Sequence, residues 1–273
     1  MGYDEIIYEK KDRIGRITLN RPHKLNALSP GLLAELDQAL QDANDDMDIS
    51  VVIIKGAGRA FCAGYDLTMA YSGTSPAPQG MEDILSIRHR EIGHTERWLY
   101  LWNLSKPTIG EVQGYCLAGG TELAAACDIV ICAEDAQFGY PIVRGTGTAP
   151  CLLWAYLMNQ RKTKEYLFTG DYISGTEAVK LGLANHAVPA DKLEEEVNAL
   201  AERIAKVPIE MLTLNKAAVN AAYEAMGFRE GINHCLTLHL VGHATEAVLG
   251  FERAVREKGL RGALEERDRP FEK

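Results

Sequence analysis

The sequence predicts an α/β fold with a helical C-terminal part, on three observations. Short β-prone and longer helix-prone stretches alternate from residue 5 to about residue 190. From Asp191 onward strand signals vanish, while helical patterns run nearly to the end. Glycine clusters close the strand-like runs before the next helix begins. Alternation of this kind is the pattern of a layered α/β domain. The chain has 273 residues, enough for one large core, or a core with a helical appendage. The expected division is an α/β core over 1–195 and a helical region over 196–273, the latter interrupted near Val207-Pro208 and Gly227.

The elements follow in order. Ile6 to Tyr8 and Ile14 to Leu19 are β-prone, with a charged turn from Lys10 to Arg13 between them. Asn20 to Leu28 is a polar loop. Ser29 then reads as a helix N-cap and Pro30 as the first helical residue. Leu32, Leu33, Leu36, Ala39, Leu40 and Ala43 recur at helical spacing and define one apolar face. Ser50 to Lys55 (SVVIIK) reads as a buried strand closed by Gly56-Ala57-Gly58. Tyr71 to Gly80 reads as a flexible loop and Asp83 to Trp102 as a long helix, with Trp98, Leu101 and Trp102 as its core stripe. Pro107 to Val112 is a strand leading into Gly114 to Gly120, followed by a small-residue helix from Thr121 to Cys127 and a strand from Asp128 to Cys132.

Composition narrows the function. The formal net charge of -9 argues against a sequence-independent grip on nucleic acid, which needs a positive field. No apolar run is long enough to span a bilayer, and Met1-Gly2-Tyr3-Asp4-Glu5 lacks a signal-peptide pattern, so the expected location is cytoplasmic. Cys62, Cys116, Cys127, Cys132, Cys151 and Cys235 show no CxxC spacing and sit mostly in apolar runs, as reduced, buried thiols do. Gly56-x-Gly58 follows a strand, but Phe61 stands where a dinucleotide fingerprint needs its third glycine. Neither a phosphate-loop lysine motif nor a GxSxG elbow is present. His239 and His243 are spaced i,i+4 on a helical stretch, as metal ligands often are. The sequence offers no third ligand nearby, so helix packing or a subunit contact is the commoner reading. Lys192 to Glu196 reads as a solvated helix face.

Two glycine sites carry chemistry. Gly64, within Phe61-Cys62-Ala63-Gly64-Tyr65-Asp66-Leu67, and Gly119-Gly120 both stand at strand-to-loop exits, where backbone approaches a ligand closely. Two amides aimed at one carbonyl oxygen stabilise the charge that develops when a thioester is enolised or attacked. The second site opens a helix, whose dipole adds to the effect. Glu122 lies three residues after Gly119, so its carboxylate stands near an oxygen held there and can accept a proton or orient a water. By spacing alone, the commoner role of such a glutamate is to offset the helix dipole.

Dispersed motifs then agree in order. Asn20-Arg21-Pro22 through Leu28, Phe61 through Leu67, Gly114 through Glu122 with Cys127-Asp128-Ile129, and Phe138-Gly139-Tyr140-Pro141 together resemble the crotonase (enoyl-CoA hydratase/isomerase) superfamily. Thr169-Gly170 through Ala178, Gly182-Leu183 and Val188-Pro189 extend the resemblance over about residues 5 to 260. It implies a spiral of ββα units, with the C-terminal helices used for trimers that often pair into hexamers. It implies an acyl-CoA ligand and no metal or redox cofactor, CoA entering as part of the substrate. It assigns the oxyanion donors to the amides of Tyr65 and Gly119 and the acid/base to Glu122. Lys24, Leu25, Ala27, Ala63, Gly64, Asp66, Leu67, Leu117, Gly120, Pro141 and Ile142 fall at substrate or CoA contacts.

One departure stands out. Hydratases of this family typically use a second glutamate directly after Phe-Gly-x-Pro, and here that residue is Ile142. Isoleucine can neither hold a water nor donate a proton. Tyr140, Arg144, Thr146, Asp66 and His94 are the polar candidates for a second role, unranked by sequence. Tyr65 is also larger than the alanine often found at its position, and is expected to narrow or redirect the pocket. Hydration of a 2-enoyl-CoA is the leading expectation. Isomerisation, C–C hydrolysis or decarboxylation through the same enolate, and non-catalytic acyl-CoA binding, are the alternatives.

Overall fold

A computed structural model describes residues 2–70 and 81–272. The loop expected over Tyr71 to Gly80 lies outside the described residues. The strands are β1 (Ile6–Lys11), β2 (Ile14–Leu19), β3 (Val51–Gly56), β4 (Ala60–Cys62), β5 (Thr108–Val112), β6 (Tyr115–Leu117), β7 (Ile129–Ala133), β8 (Gln137–Gly139), β9 (Ile173–Ser174) and β10 (His186–Val188). The helices are α1 (Pro30–Asp45), α2 (Leu67–Ala70), α3 (Met81–Trp102), α4 (Gly119–Ala125), α5 (Trp154–Leu157), α6 (Gln160–Thr169), α7 (Gly175–Leu181), α8 (Leu193–Ala205), α9 (Ile209–Ala225), α10 (Phe228–His243) and α11 (Glu246–Asp268).

Two sheets form. The first has the order β1-β2-β3-β5-β7-β10, parallel throughout except for the β1-β2 hairpin. The second has the order β4-β6-β8-β9, with only β9 antiparallel. A strand of the first sheet is followed closely by one of the second and then by a helix, three times over, from β3, β5 and β7. Val51 to Ile54 of the SVVIIK run are all buried, as a parallel strand covered on both faces requires. Helix α1 begins as its sequence predicts: the Ser29 hydroxyl accepts from the Leu32 amide at 3.0 Å, and all six stripe residues are buried. Helix α8 lies on the first sheet through Leu193, Val197, Ala201 and Ala205, which share the main core on both sides of residue 195.

Several expectations need correction. The segment after Gly58 carries the short strand β4, which is too brief for alternation to reveal. Helix α4 starts at Gly119, two residues before the expected Thr121, because nothing in a glycine pair marks a helix start. Glycine breaks the last helix at Gly259, whose φ of 72° is non-helical, although the sequence reads as unbroken there.

The loop before α1 is pinned by Asn26. Its backbone is left-handed (φ 55°), a conformation asparagine tolerates. Its buried side-chain amide donates to the carbonyls of Ala57 (2.9 Å) and Ala60 (2.8 Å), and its Oδ1 accepts from the Arg21 amide (2.9 Å). Asn26→Ala removes all three hydrogen bonds, at about 1 kcal/mol each. The expected result is a loss of about 3 kcal/mol in urea unfolding and release of the Lys24–Ala27 loop.

Candidate active site

The site forms where β4 and β6 leave the second sheet side by side. These strands pair in parallel through Cys62 and Cys116, so both following loops emerge at one edge. The loops then lock together. Gly64 has φ 96°, and a Cβ placed there would stand 2.9 Å from the Leu117 carbonyl oxygen and 3.3 Å from the Gly119 nitrogen. Gly120 is tighter still, since a Cβ there would meet the Cys62 carbonyl oxygen at 2.3 Å. Glycine at both positions is therefore steric necessity.

Among the described residues, this arrangement leaves two amides without an acceptor. Leu28 N–H donates to the Gly64 carbonyl and Asp66 N–H to the Leu28 carbonyl, a pairing that passes over the Tyr65 amide. Gly119 is the first residue of α4, where a backbone N–H has no acceptor within the helix. The same loops gather most of the expected CoA contacts. Ala63 N–H donates to the Leu25 carbonyl at 3.0 Å, which joins the Lys24–Ala27 loop to the Ala63–Leu67 segment. Leu117 lies against Gly64. Pro141 is buried and Ile142 half-buried just beyond β8, with Ile142 packed on the core.

Glu122 is buried in α4. Its Oε2 accepts from Trp98 Nε1–H at 3.1 Å and from the Tyr65 hydroxyl at 3.2 Å, and Trp98 Nε1 also lies 3.1 Å from that hydroxyl. Its Oε1 has no hydrogen-bond partner among the described residues. Burial pushes the Glu122 carboxyl up to about 8, and the Glu91 charge adds to the rise. The hydrogen bonds from Trp98 and Tyr65, and the nearby Cys151 amide, offset only part of it. A carboxyl that titrates near neutrality, with one oxygen open, can both accept and return a proton. Burial, with the Glu122 charge second, likewise holds the Tyr65 phenol well above its ordinary value, so it stays a donor. Glu122 also stands in the first turn of α4, the position where a glutamate offsets the helix dipole.

The unranked candidates separate. Asp66 pairs with Arg21 at 3.0 Å and accepts from the Thr68 amide at 3.0 Å, so its carboxylate is committed. Arg144 pairs with Asp171 (3.3 Å) and Asp268 (3.6 Å), so its guanidinium is committed. Thr146 donates to the Ile142 carbonyl at 3.0 Å. His94 stacks on the Tyr65 ring with centroids 4.3 Å apart, and its Nδ1 lies 3.5 Å from Glu91 Oε2. Tyr140 is buried with its ring edge-on to Trp154, and its hydroxyl has no partner among the described residues.

Sequence reasoning missed Trp98 and the reach of the Tyr65 phenol. Trp98 is buried as its stripe predicts, but a buried indole N–H needs an acceptor, and that requirement was the available signal. The Tyr65 ring packs against Gly119, where a Cβ would stand 2.7 Å from Tyr65 Cε2. A tyrosine at this position therefore needs a bare glycine opposite.

Two strand exits thus stand beside a buried carboxyl, an arrangement of the kind that oxyanion-stabilising enzymes use. Residues 9–273 match the family model for enoyl-CoA hydratase/isomerase, and the chain belongs to that family, within the crotonase superfamily. It is similar to a Dictyostelium discoideum protein named "Probable enoyl-CoA hydratase, mitochondrial", 38% identical over 82% of this chain and 78% of that protein. It is 31% identical to a crotonyl-CoA hydratase of Syntrophomonas wolfei over 99% of both chains. A crystal structure of an enoyl-CoA hydratase/isomerase from Xanthobacter autotrophicus Py2 superposes with a TM-score of 0.92 at 33% identity, covering 100% of both chains. The mixed α/β architecture is thus the crotonase fold, as the sequence resemblance implies.

Proposed function

We propose that this protein hydrates a 2-enoyl-CoA thioester, with the amides of Tyr65 and Gly119 on the thioester oxygen and Glu122 as the single acid/base. The observation that carries this reading is Glu122 itself, buried beside both glycine exits with Oε1 open. The names of the related hydratases support the substrate class. Ionised Glu122 takes a proton from a water as its oxygen bonds to C3. The electrons of the C2–C3 bond pass to the thioester oxygen, where the two amides hold the enolate. Collapse of the enolate takes the proton from Glu122 onto C2 and restores the carboxylate. One water is added and nothing leaves. Ile142 supplies no second carboxyl, so one group serves both transfers. The Lys24–Ala27 loop and the Ala63–Leu67 backbone hold the CoA part, and Leu117, Gly120, Pro141 and Ile142 border the acyl group.

The test is turnover of crotonyl-CoA and longer enoyl-CoAs, followed by mass. A gain of one water supports the reading. A product of unchanged mass marks isomerisation, and fragmentation marks C–C hydrolysis or decarboxylation. Ile142 is the observation that favours these, since one base suffices where no water is added. Tight ester binding without turnover marks a binding protein. With Glu122 near 8, kcat/KM is expected to rise with pH and level off above about 8, because the ionised form starts the reaction. Tyr65→Phe removes a donor to the carboxylate, so the expected result is that this inflection moves to higher pH while kcat falls about 10-fold, read from a pH profile.

For assembly, the exposed apolar side chains Met211, Leu214 and Val219 of α9 and Leu238 and Val241 of α10 support a subunit contact. A homotrimer, or a hexamer of paired trimers, is the proposed state, which light scattering reads directly.

A further inference from the structure

The helix pair spaced i,i+4 at His239 and His243 has no place in the chemistry above. Its missing third partner comes from far earlier in the chain. Helix α10 packs on α3, and this places Glu91 against both histidines. His239 Nε2 lies 3.2 Å from His243 Nε2 and 3.8 Å from Glu91 Oε2, and the three ligand atoms all fall within 4.8 Å of one another. Glu91 and His239 are buried, whereas His243 is part-exposed.

We propose that Glu91, His239 and His243 form a binding site for one divalent transition cation of the zinc type, clamping α3 to α10. Two imidazole nitrogens and a carboxylate oxygen are the donor set such ions prefer. Ligands at about 2.0–2.2 Å around a tetrahedral ion stand about 3.3–3.6 Å apart; the two imidazole nitrogens, 3.2 Å apart, are close to that spacing, and the carboxylate oxygen, 3.8 Å from His239 Nε2, has to move inward on binding. The other nitrogen of His239 has the support a ligating histidine uses. Its Nδ1 lies 3.3 Å from the Thr148 hydroxyl, which can accept Nδ1–H and leave the Nε2 lone pair facing the cluster. The part-exposed side at His243 gives an ion its entry and leaves the fourth position to water. The site uses none of the residues placed on the thioester but adjoins them, since His94 stands between Glu91 and the Tyr65 ring.

Untagged, full-length protein stripped with a chelator and titrated with Co2+, then with Zn2+ in competition, tests this. The expected result is one Co2+ per chain with the intense visible bands of four-coordinate cobalt, displaced by Zn2+. Glu91→Gln, His239→Gln and His243→Gln each weaken binding 100-fold or more, and Thr148→Ala about 10-fold. His243 is part-exposed, so its variant is expected to keep the wild-type circular dichroism and melting curve without metal, which separates ligand loss from misfolding. Wild type showing only the pale spectrum of six-coordinate cobalt, or a His239→Gln/His243→Gln double variant binding as wild type does, overturns the proposal. Neither outcome bears on hydration of the thioester.

Discussion

Glu122→Gln is expected to lower kcat for enoyl-CoA hydration by about 10^3-fold with little change in KM. General acid–base catalysis by one positioned group is worth about 10^2–10^4-fold, and here one carboxyl carries both proton transfers. The amide keeps the shape and still accepts from Trp98 and Tyr65, so binding is preserved. The same variant is expected to be more stable than wild type in alkaline buffer. The folded-state value of Glu122, about 8, lies above the ordinary 4.5. Between these values the folded chain keeps a proton that the unfolded chain releases, so the stability this group contributes is full below 4.5 and lost as pH rises through about 8. Glutamine does not titrate. Urea unfolding at pH 8 should therefore favour Glu122→Gln by on the order of 4 kcal/mol, and the gap should close near pH 4.5. A variant with wild-type turnover would remove Glu122 from the reaction.

Gly64→Ala is expected to cost both stability and rate. The new methyl would stand 2.9 Å from the Leu117 carbonyl oxygen, which is backbone and cannot swing aside, at φ 96°, where an L side chain is strained. The two exits must separate, and the amides of Tyr65 and Gly119 separate with them. Losing one oxyanion donor costs about 10^2–10^3-fold in kcat. A fall of that size, with a melting temperature lowered by several degrees, is the expected result from steady-state kinetics and a thermal scan. An unchanged kcat in a folded variant would show that these loops do not set the reaction geometry.

The sequence made the repeating parts legible. Helix α1 could be read from its Ser29-Pro30 start and its leucine stripe, and β3 from an apolar run closed by glycine, because both signals are local and periodic. Glu122, Tyr65 and Gly119 were legible through motif order, and the structure brings all three together. Trp98 was hidden, because a stripe residue looks the same whether its indole N–H is idle or bonded to a carboxylate. Strand β4, three residues long, and the break at Gly259 leave no periodic trace. Glu91 was illegible for another reason. Its proximity to His239 exists only once α10 lies on α3, and no spacing along the chain encodes that contact.

The most direct measurement is a crystal structure of the protein with butyryl-CoA, the saturated analogue of crotonyl-CoA. The thioester oxygen is expected about 3 Å from both the Tyr65 and Gly119 amide nitrogens, with C2 and C3 facing Glu122 Oε1. A thioester oxygen bound elsewhere, or an acyl chain turned away from Glu122, would contradict it.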